Sequence, residues 1–197
     1  MAQTEVLIVG AGPSGLVLAL CLHRLGVAVR IVDAASGPGT TSRALVVQAR
    51  TLELYRTLGL DRQVLDAGHP ILALNLWAEG EHRARVELGA LGGGLTPHPF
   101  VHVYPQDRHE AMLVERLREA GIEVERNCTL LGFEEHGGEV LARLRRASGE
   151  TETCGALWLV GCDGARSVVR HLIDAGFPGG TYRRCSTWPT SRATARP

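Results

Sequence analysis

The sequence predicts an α/β fold of the Rossmann-like, glycine-motif kind, interrupted by a β-rich insertion. Three observations predict it. The apolar run "TEVLIVG" (4–10) stops at glycine, as a buried parallel strand does. "PSGLVLALCLHRLG" (13–26) follows with helical character, and "VAVRIVD" (27–33) is a second apolar run. Strand, helix and strand in so short a span make a βαβ unit.

The remaining elements follow in order. Residues 13–26 are apolar nearly all round, with Gly26 as the helix's C-terminal stop. "QARTLELYRTLGL" (48–60) reads as an amphipathic helix with Leu52, Tyr55 and Leu58 inward. Residues 71–90 look like two antiparallel strands, and "PFVHVYP" (99–105) is another strand. "QDRHEAMLVERLREAG" (106–121) is a helix with Leu113, Leu117 and Ala120 on one face. "IEVERN", "CTLLGFEEH", "GEVLARLRR" and "TETCGALWLVGCDG" supply further strands, the middle pair turning at Gly137-Gly138.

Composition narrows the function classes. The chain has 197 residues, 45% of them hydrophobic, enough for a real core. Its 21 basic and 21 acidic residues cancel, which argues against a nucleic-acid partner. No apolar run reaches membrane-spanning length, so no membrane partner is expected. The first strand begins almost at Met1, so no signal peptide is expected. Five cysteines, an odd number without a C-x-x-C pair, fit reduced thiols, so a cytoplasmic location is expected. His98, His102 and His109 lack a cysteine or carboxylate cluster and read as core or solvated residues rather than metal ligands.

The strongest motif is "GAGPSG", with Gly10, Gly12 and Gly15 in G-x-G-x-x-G spacing around Pro13 and Ser14. Gly10 permits the turn out of the strand, Gly12 lets a pyrophosphate approach the backbone, and Gly15 lets the helix pack on the sheet. The helix N-terminus offers free N–H groups to phosphate. Asp33 ends the next strand and is expected to accept hydrogen bonds from an adenosine ribose. The plainer alternative is a glycine turn with a surface aspartate. The second motif, "GCDGARSVVR" (161–170), puts Asp163 and Gly164 at the tip of another turn after an apolar strand.

With these motifs the sequence resembles the group A flavin-dependent aromatic hydroxylases, which have the p-hydroxybenzoate hydroxylase fold. It looks most like their polyketide and phenol hydroxylase branch. Gly10 to Gly15 match the family's first fingerprint, and Asp163, Gly164 and Arg166 match its Asp-Gly motif. Arg43 stands where the family has an arginine near the flavin and nicotinamide cofactors. Gln106 opens a Q-x-x-x-E-x-x-L pattern whose glutamine contacts the flavin side of FAD. For single residues the alternatives stay open: Arg43 as a surface charge, Gln106 as a helix N-cap, Asp163 as a group bonding its own turn.

The resemblance implies an FAD-binding domain that uses NADH or NADPH as electron donor. Molecular oxygen and a small aromatic substrate, phenolic or polyketide, complete the reaction. It assigns Gly10, Gly12, Gly15 and Asp33 to the AMP half of FAD. Arg43, Gln106, Asp163 and Arg166 go to the pyrophosphate, flavin and nicotinamide region. No catalytic residue and no metal ligand is assigned. The expected division is an FAD-binding domain over 1–70 and 106–177, with part of a substrate-domain sheet over 71–105. Two other readings share these fingerprints: an FAD-dependent reductase, and an inactive product with residual nucleotide binding.

The family's third fingerprint, a Gly-Asp motif further on, is absent, so the chain reads as a truncated N-terminal fragment. Residues 178–197 lack periodicity. Read one base earlier with GC-rich codons, "CSTWPTS" becomes "VLDVADV", which alternates like a strand. A frameshifted tail is therefore expected there rather than a functional disordered one.

Overall fold

In a computed structural model, which describes residues 3–39, 46–89 and 92–179, the βαβ unit is formed by β1 (Thr4–Val9), α1 (Pro13–Arg24) and β2 (Val29–Val32). β3 (Val46–Val47), α2 (Ala49–Leu58), α3 (Asp61–Ala67) and β4 (His69–Ile71) come next. The hairpin β5 (Ala73–Ala78) and β6 (Glu81–Glu87) precedes β7 (Val101–Val103) and α4 (Gln106–Glu119). The chain continues through β8 (Val124–Glu125), β9 (Thr129–His136), β10 (Glu139–Arg145), β11 (Thr151–Gly161) and α5 (Val168–Leu172).

Six strands form the main sheet in the order β8-β2-β1-β11-β10-β9. β1 runs parallel to both β2 and β11, whereas β10 is antiparallel to β11 and β9. The register Val9↔Gly161 matters most for function. It brings the C-terminal ends of β1 and β11 side by side, so the turns that follow them meet. In open α/β sheets that is where ligands bind.

β1 is buried on both faces, and its alternation divides the core. Ile8 joins Leu16, Ala19, Ile31, Leu52, Tyr55, Leu113 and Leu117 beneath the helices. Leu7 and Val9 join Val32, Leu130, Leu144, Cys154 and Val169 on the other face. Each such large apolar side chain contributes about 1.5–3 kcal/mol by leaving water. At the sheet's edge Arg30 of β2 bonds Glu125 of β8 at 2.6 Å and also meets Glu152 of β11. These half-buried ion pairs raise the Arg30 pKa and tie strands on both sides of β1.

α1 opens with Pro13 at its first position, where a missing N–H costs nothing. α4 carries Asp107 in its first turn and Arg116 and Arg118 in its last, both matched to the helix dipole. The Gly137-Gly138 turn takes positive φ at both residues, as a tight hairpin requires.

The structure corrects several details. The helix expected over 48–60 ends at Leu58, and a second short helix, α3, follows it. Leu58 is half-buried, and Ala120 lies past the end of α4, where Met112, Leu113 and Leu117 carry the buried face. The strand expected from "IEVERN" is two residues long. β3 and β4 were not expected; they flank β7 in a three-stranded antiparallel sheet. The β5–β6 hairpin stands apart as its own two-stranded sheet. Arg43 and the expected aberrant tail from 180 onward lie outside the described residues. Among the described residues no helix is long and apolar enough to cross a membrane.

Candidate dinucleotide-binding site

The three glycines of the first turn have different jobs. Gly10 sits at φ +105°, and a Cβ there would overlap the Cys162 carbonyl of the neighbouring turn. A Cβ on Gly15 would overlap the Gly10 carbonyl oxygen. Both glycines are needed for the backbone to pass itself. Gly12 differs: its backbone is extended, and a Cβ would meet nothing within 4 Å. Its freedom is needed by nothing in the protein, and the space in front of it is open to a ligand at the N-terminus of α1.

Asp33 turns its carboxylate toward this loop. Oδ2 accepts the Ala11 N–H at 2.5 Å and Oδ1 the Ala35 N–H at 2.7 Å. Arg126 Nη1 stands 3.7 Å from Oδ2. Asp33 thus fixes the turn before any ligand arrives. A carboxylate has about four acceptor sites, so capacity for a ribose diol is left.

Asp163 follows β11. Its Oδ2 accepts the Val168 and Val169 N–H groups at 2.5 and 3.2 Å, which caps α5. Its Oδ1 is buried and has no hydrogen-bond partner among the described residues. An orphaned buried carboxylate oxygen is costly in water's absence, and a ligand hydroxyl would satisfy it. The alternative that Asp163 bonds its own turn holds for one oxygen only.

Gln106 is the first residue of α4, and Pro105 occupies the N-cap, so the glutamine is not a cap. Its Nε2 donates to Glu110 Oε1 at 2.8 Å, while Glu110 Oε2 accepts the Gly39 N–H at 2.9 Å. One cavity of about 430 Å³ gathers Gly10, Gly12, Pro13, Ser14, Asp33, Gln106, Asp163 and Gly164. Gly15 lies behind it as packing, and Arg166 is exposed on a single 3-10 turn outside the lining. Glu110, Cys128, Thr129, Leu130 and Cys162 also stand in the walls. The sequence reading assigned none of these five. Glu110 was legible, because it is the acid of the Q-x-x-x-E pattern one helical turn after Gln106. The β9 residues carried no local signal, since only the sheet brings them there. Burial pushes the Cys128 and Cys162 thiols up.

A second chamber of about 360 Å³ adjoins the first through Pro13, Ser14 and Gln106, which line both. Its other walls are mainly apolar and aromatic, Val17, Val46, Val47, Leu54, Tyr55 and Tyr104, with the polar Gln48, Thr51 and His109 among them. The three histidines are buried. His102 Nε2 meets the Val64 carbonyl at 2.9 Å, and His109 Nε2 meets the Tyr55 hydroxyl at 2.6 Å.

Two glycine turns at adjacent parallel strand ends, a helix N-terminus and an acid at the second strand define a dinucleotide-binding α/β protein. Residues 3–189 match the family described as FAD binding domain, and the chain belongs to that family. It is 42% identical to 6-methylpretetramide 4-monooxygenase of Streptomyces rimosus, over 89% of this chain and 31% of the relative. A flavin-dependent monooxygenase of Mycobacteroides abscessus is 36% identical over 91% of this chain and 39% of its own. Among solved structures, p-nitrophenol 4-monooxygenase from Pseudomonas putida superposes with a TM-score of 0.84 at 27% identity, covering 92% of this chain and 46% of that one. Aklavinone-11 hydroxylase, in a ternary complex with FAD and aklavinone, gives 0.80 at 32% identity, over 88% and 35%. The chain spans between 31% and 39% of these two curated relatives.

Proposed function

We propose that this chain is the FAD-binding portion of an FAD- and NAD(P)H-dependent monooxygenase that hydroxylates a small phenolic or polyketide aromatic with molecular oxygen. The observation that carries the proposal is the meeting of open space at Gly12 with an orphaned Asp163 oxygen in one cavity. Those features fit a diphosphate and a hydroxylated chain, the two central parts of FAD. The α1 N-terminus and the Gly12 backbone would hold the diphosphate. Asp33 would take the adenosine ribose, Asp163 Oδ1 a hydroxyl of the linking chain, and Gln106 the ring end. Arg43 and Arg166 complete the set that the family pattern assigns to the flavin and nicotinamide region.

When bound, the flavin supplies electron transfer from NADH or NADPH to oxygen and insertion of one oxygen atom into the ring. The chain's own residues bind, orient and exclude water. Asp33 and Asp163 are held in place by backbone N–H groups before binding, so little ordering remains for the ligand to impose. The relatives' names support the reaction class: they include 6-methylpretetramide 4-monooxygenase and pentachlorophenol 4-monooxygenase.

Titration of the purified chain with ADP, FAD and FMN tests the assignment. FAD and ADP should compete for one site, with FMN weaker than either. FMN competing as well as ADP would overturn it. A longer protein containing this segment should oxidise NADH or NADPH faster when a phenolic substrate is added.

A further inference from the structure

His109 and Tyr55 form the most unusual feature of the second chamber. Tyr55 comes from α2 and His109 from α4, both are buried, and their polar atoms meet at 2.6 Å. His109 packs edge-on against Tyr55, with ring centroids 5.5 Å apart, and tilted against Tyr104 at 5.4 Å. An apolar pair would fill this space without any need for hydrogen bonding.

The hydrogen-bond inventory decides which nitrogen carries the proton. The Tyr55 hydroxyl has no other partner among the described residues. If His109 Nε2 held the hydrogen, the buried Tyr55 O–H would have no acceptor, a costly state. Tyr55 therefore donates to Nε2, and Nδ1 holds the ring hydrogen. Burial lowers the His109 pKa and raises that of Tyr55, which keeps both groups neutral. Nδ1 bonds to none of the described residues, and the His109 side chain lines the chamber. The outcome is an N–H donor of fixed tautomer on a wall that combines apolar and aromatic side chains with the polar Ser14, Gln48, Thr51 and Gln106.

We propose that His109, its tautomer set by Tyr55, is a positioning residue whose Nδ1–H bonds the acceptor oxygen or nitrogen of a planar aromatic ligand in this chamber. Two sources share that chemistry: the ring end of FAD, reached past Gln106 and Ser14, and a separate phenolic substrate. The first source rests on the function proposed above. Pockets of this kind use apolar walls for affinity and a few placed polar groups for orientation.

The test uses the whole chain with ADP, FAD, riboflavin and phenol as separate probes. ADP reports the diphosphate cradle alone and also checks folding of each variant. Riboflavin reports the chamber without that cradle. His109→Leu should leave ADP binding within about twofold and weaken FAD and riboflavin about tenfold, one hydrogen bond's worth. His109→Asn, which keeps a side-chain N–H, should recover most of that loss, whereas a purely packing role predicts no recovery. If FAD and riboflavin are unmoved but phenol binding is lost and Asn restores it, the occupant is the substrate ring and the donor role stands. Equal binding of all three ring probes by wild type and His109→Leu overturns the proposal, as does failure of Asn to recover. Wild-type chain that binds riboflavin but not ADP would sink the dinucleotide reading alone.

Discussion

The β1–α1–β2 unit and the β5–β6 hairpin both carry large apolar side chains, and they end in opposite states. Leu7, Ile8, Leu16 and Ile31 are wholly buried, because β1 has a strand on each side and helices above it. In the hairpin Leu76 is 52% and Trp77 66% exposed, with Leu74 and Val86 also bare. Its two strands pair only with each other, and a lone hairpin is marginal in water. A pattern that fixes a strand locally becomes a rigid site only where distant strands support it. In the first unit that support is β11, and it delivers Asp163 to Gly10.

The contrast breaks most sharply at Gly15. Gly15→Ala should cost about 3 kcal/mol, since the new methyl overlaps the Gly10 carbonyl. Urea unfolding measures it, and a wild-type midpoint would show that the turn can open. Asp33→Ala should come next. Loss of the Ala11 and Ala35 bonds and of the ribose partner should weaken FAD binding by about 1–3 kcal/mol. An unchanged dissociation constant would reduce Asp33 to a fold residue.

Acid provides a smaller effect with a defined sign. Because burial lowers the His109 pKa, the unfolded chain takes up this proton first as pH falls. The stability it contributes is present above about pH 6.5 and is lost as pH drops below that value. The lowered carboxylates of Glu53, Glu115 and Glu152 act only near and below pH 4.5. Urea midpoints at pH 7, 6 and 5 should therefore fall in wild type and fall less in His109→Leu. Equal slopes would contradict the buried, neutral imidazole. The smallest effect belongs to the hairpin: Trp77→Ala should change stability by less than about 0.5 kcal/mol in this chain. A large loss in the same assay would mean that the hairpin is covered in solution.

The sequence revealed whatever depends on short-range pattern. The βαβ unit, α2, α4 and the Gly137-Gly138 hairpin stand close to where periodicity and glycine stops put them. α3, β3 and β4 escaped because two to seven residues carry no period, and β3 and β4 exist only through β7. At the site, the sequence picked out motif residues one by one, and eight of them line one cavity while Arg166 lies outside it, but the orphaned oxygen of Asp163 was not legible. The Tyr55–His109 bond was illegible for the same reason: it depends on how α2 packs against α4. Glu110 was the missed opportunity, since its spacing from Gln106 was plain.

The central claim is that the open space at Gly12 is a diphosphate cradle, and Gly12→Val tests it most directly. No atom lies within 4 Å of the new Cβ, so the variant should fold, losing no more than about 1 kcal/mol for a poorer helix N-cap. The valine would stand where phosphate must approach the backbone. ADP affinity, measured calorimetrically beside a thermal melt, should fall at least about a hundredfold while the melt stays near wild type. ADP binding as tight as wild type's would contradict the account.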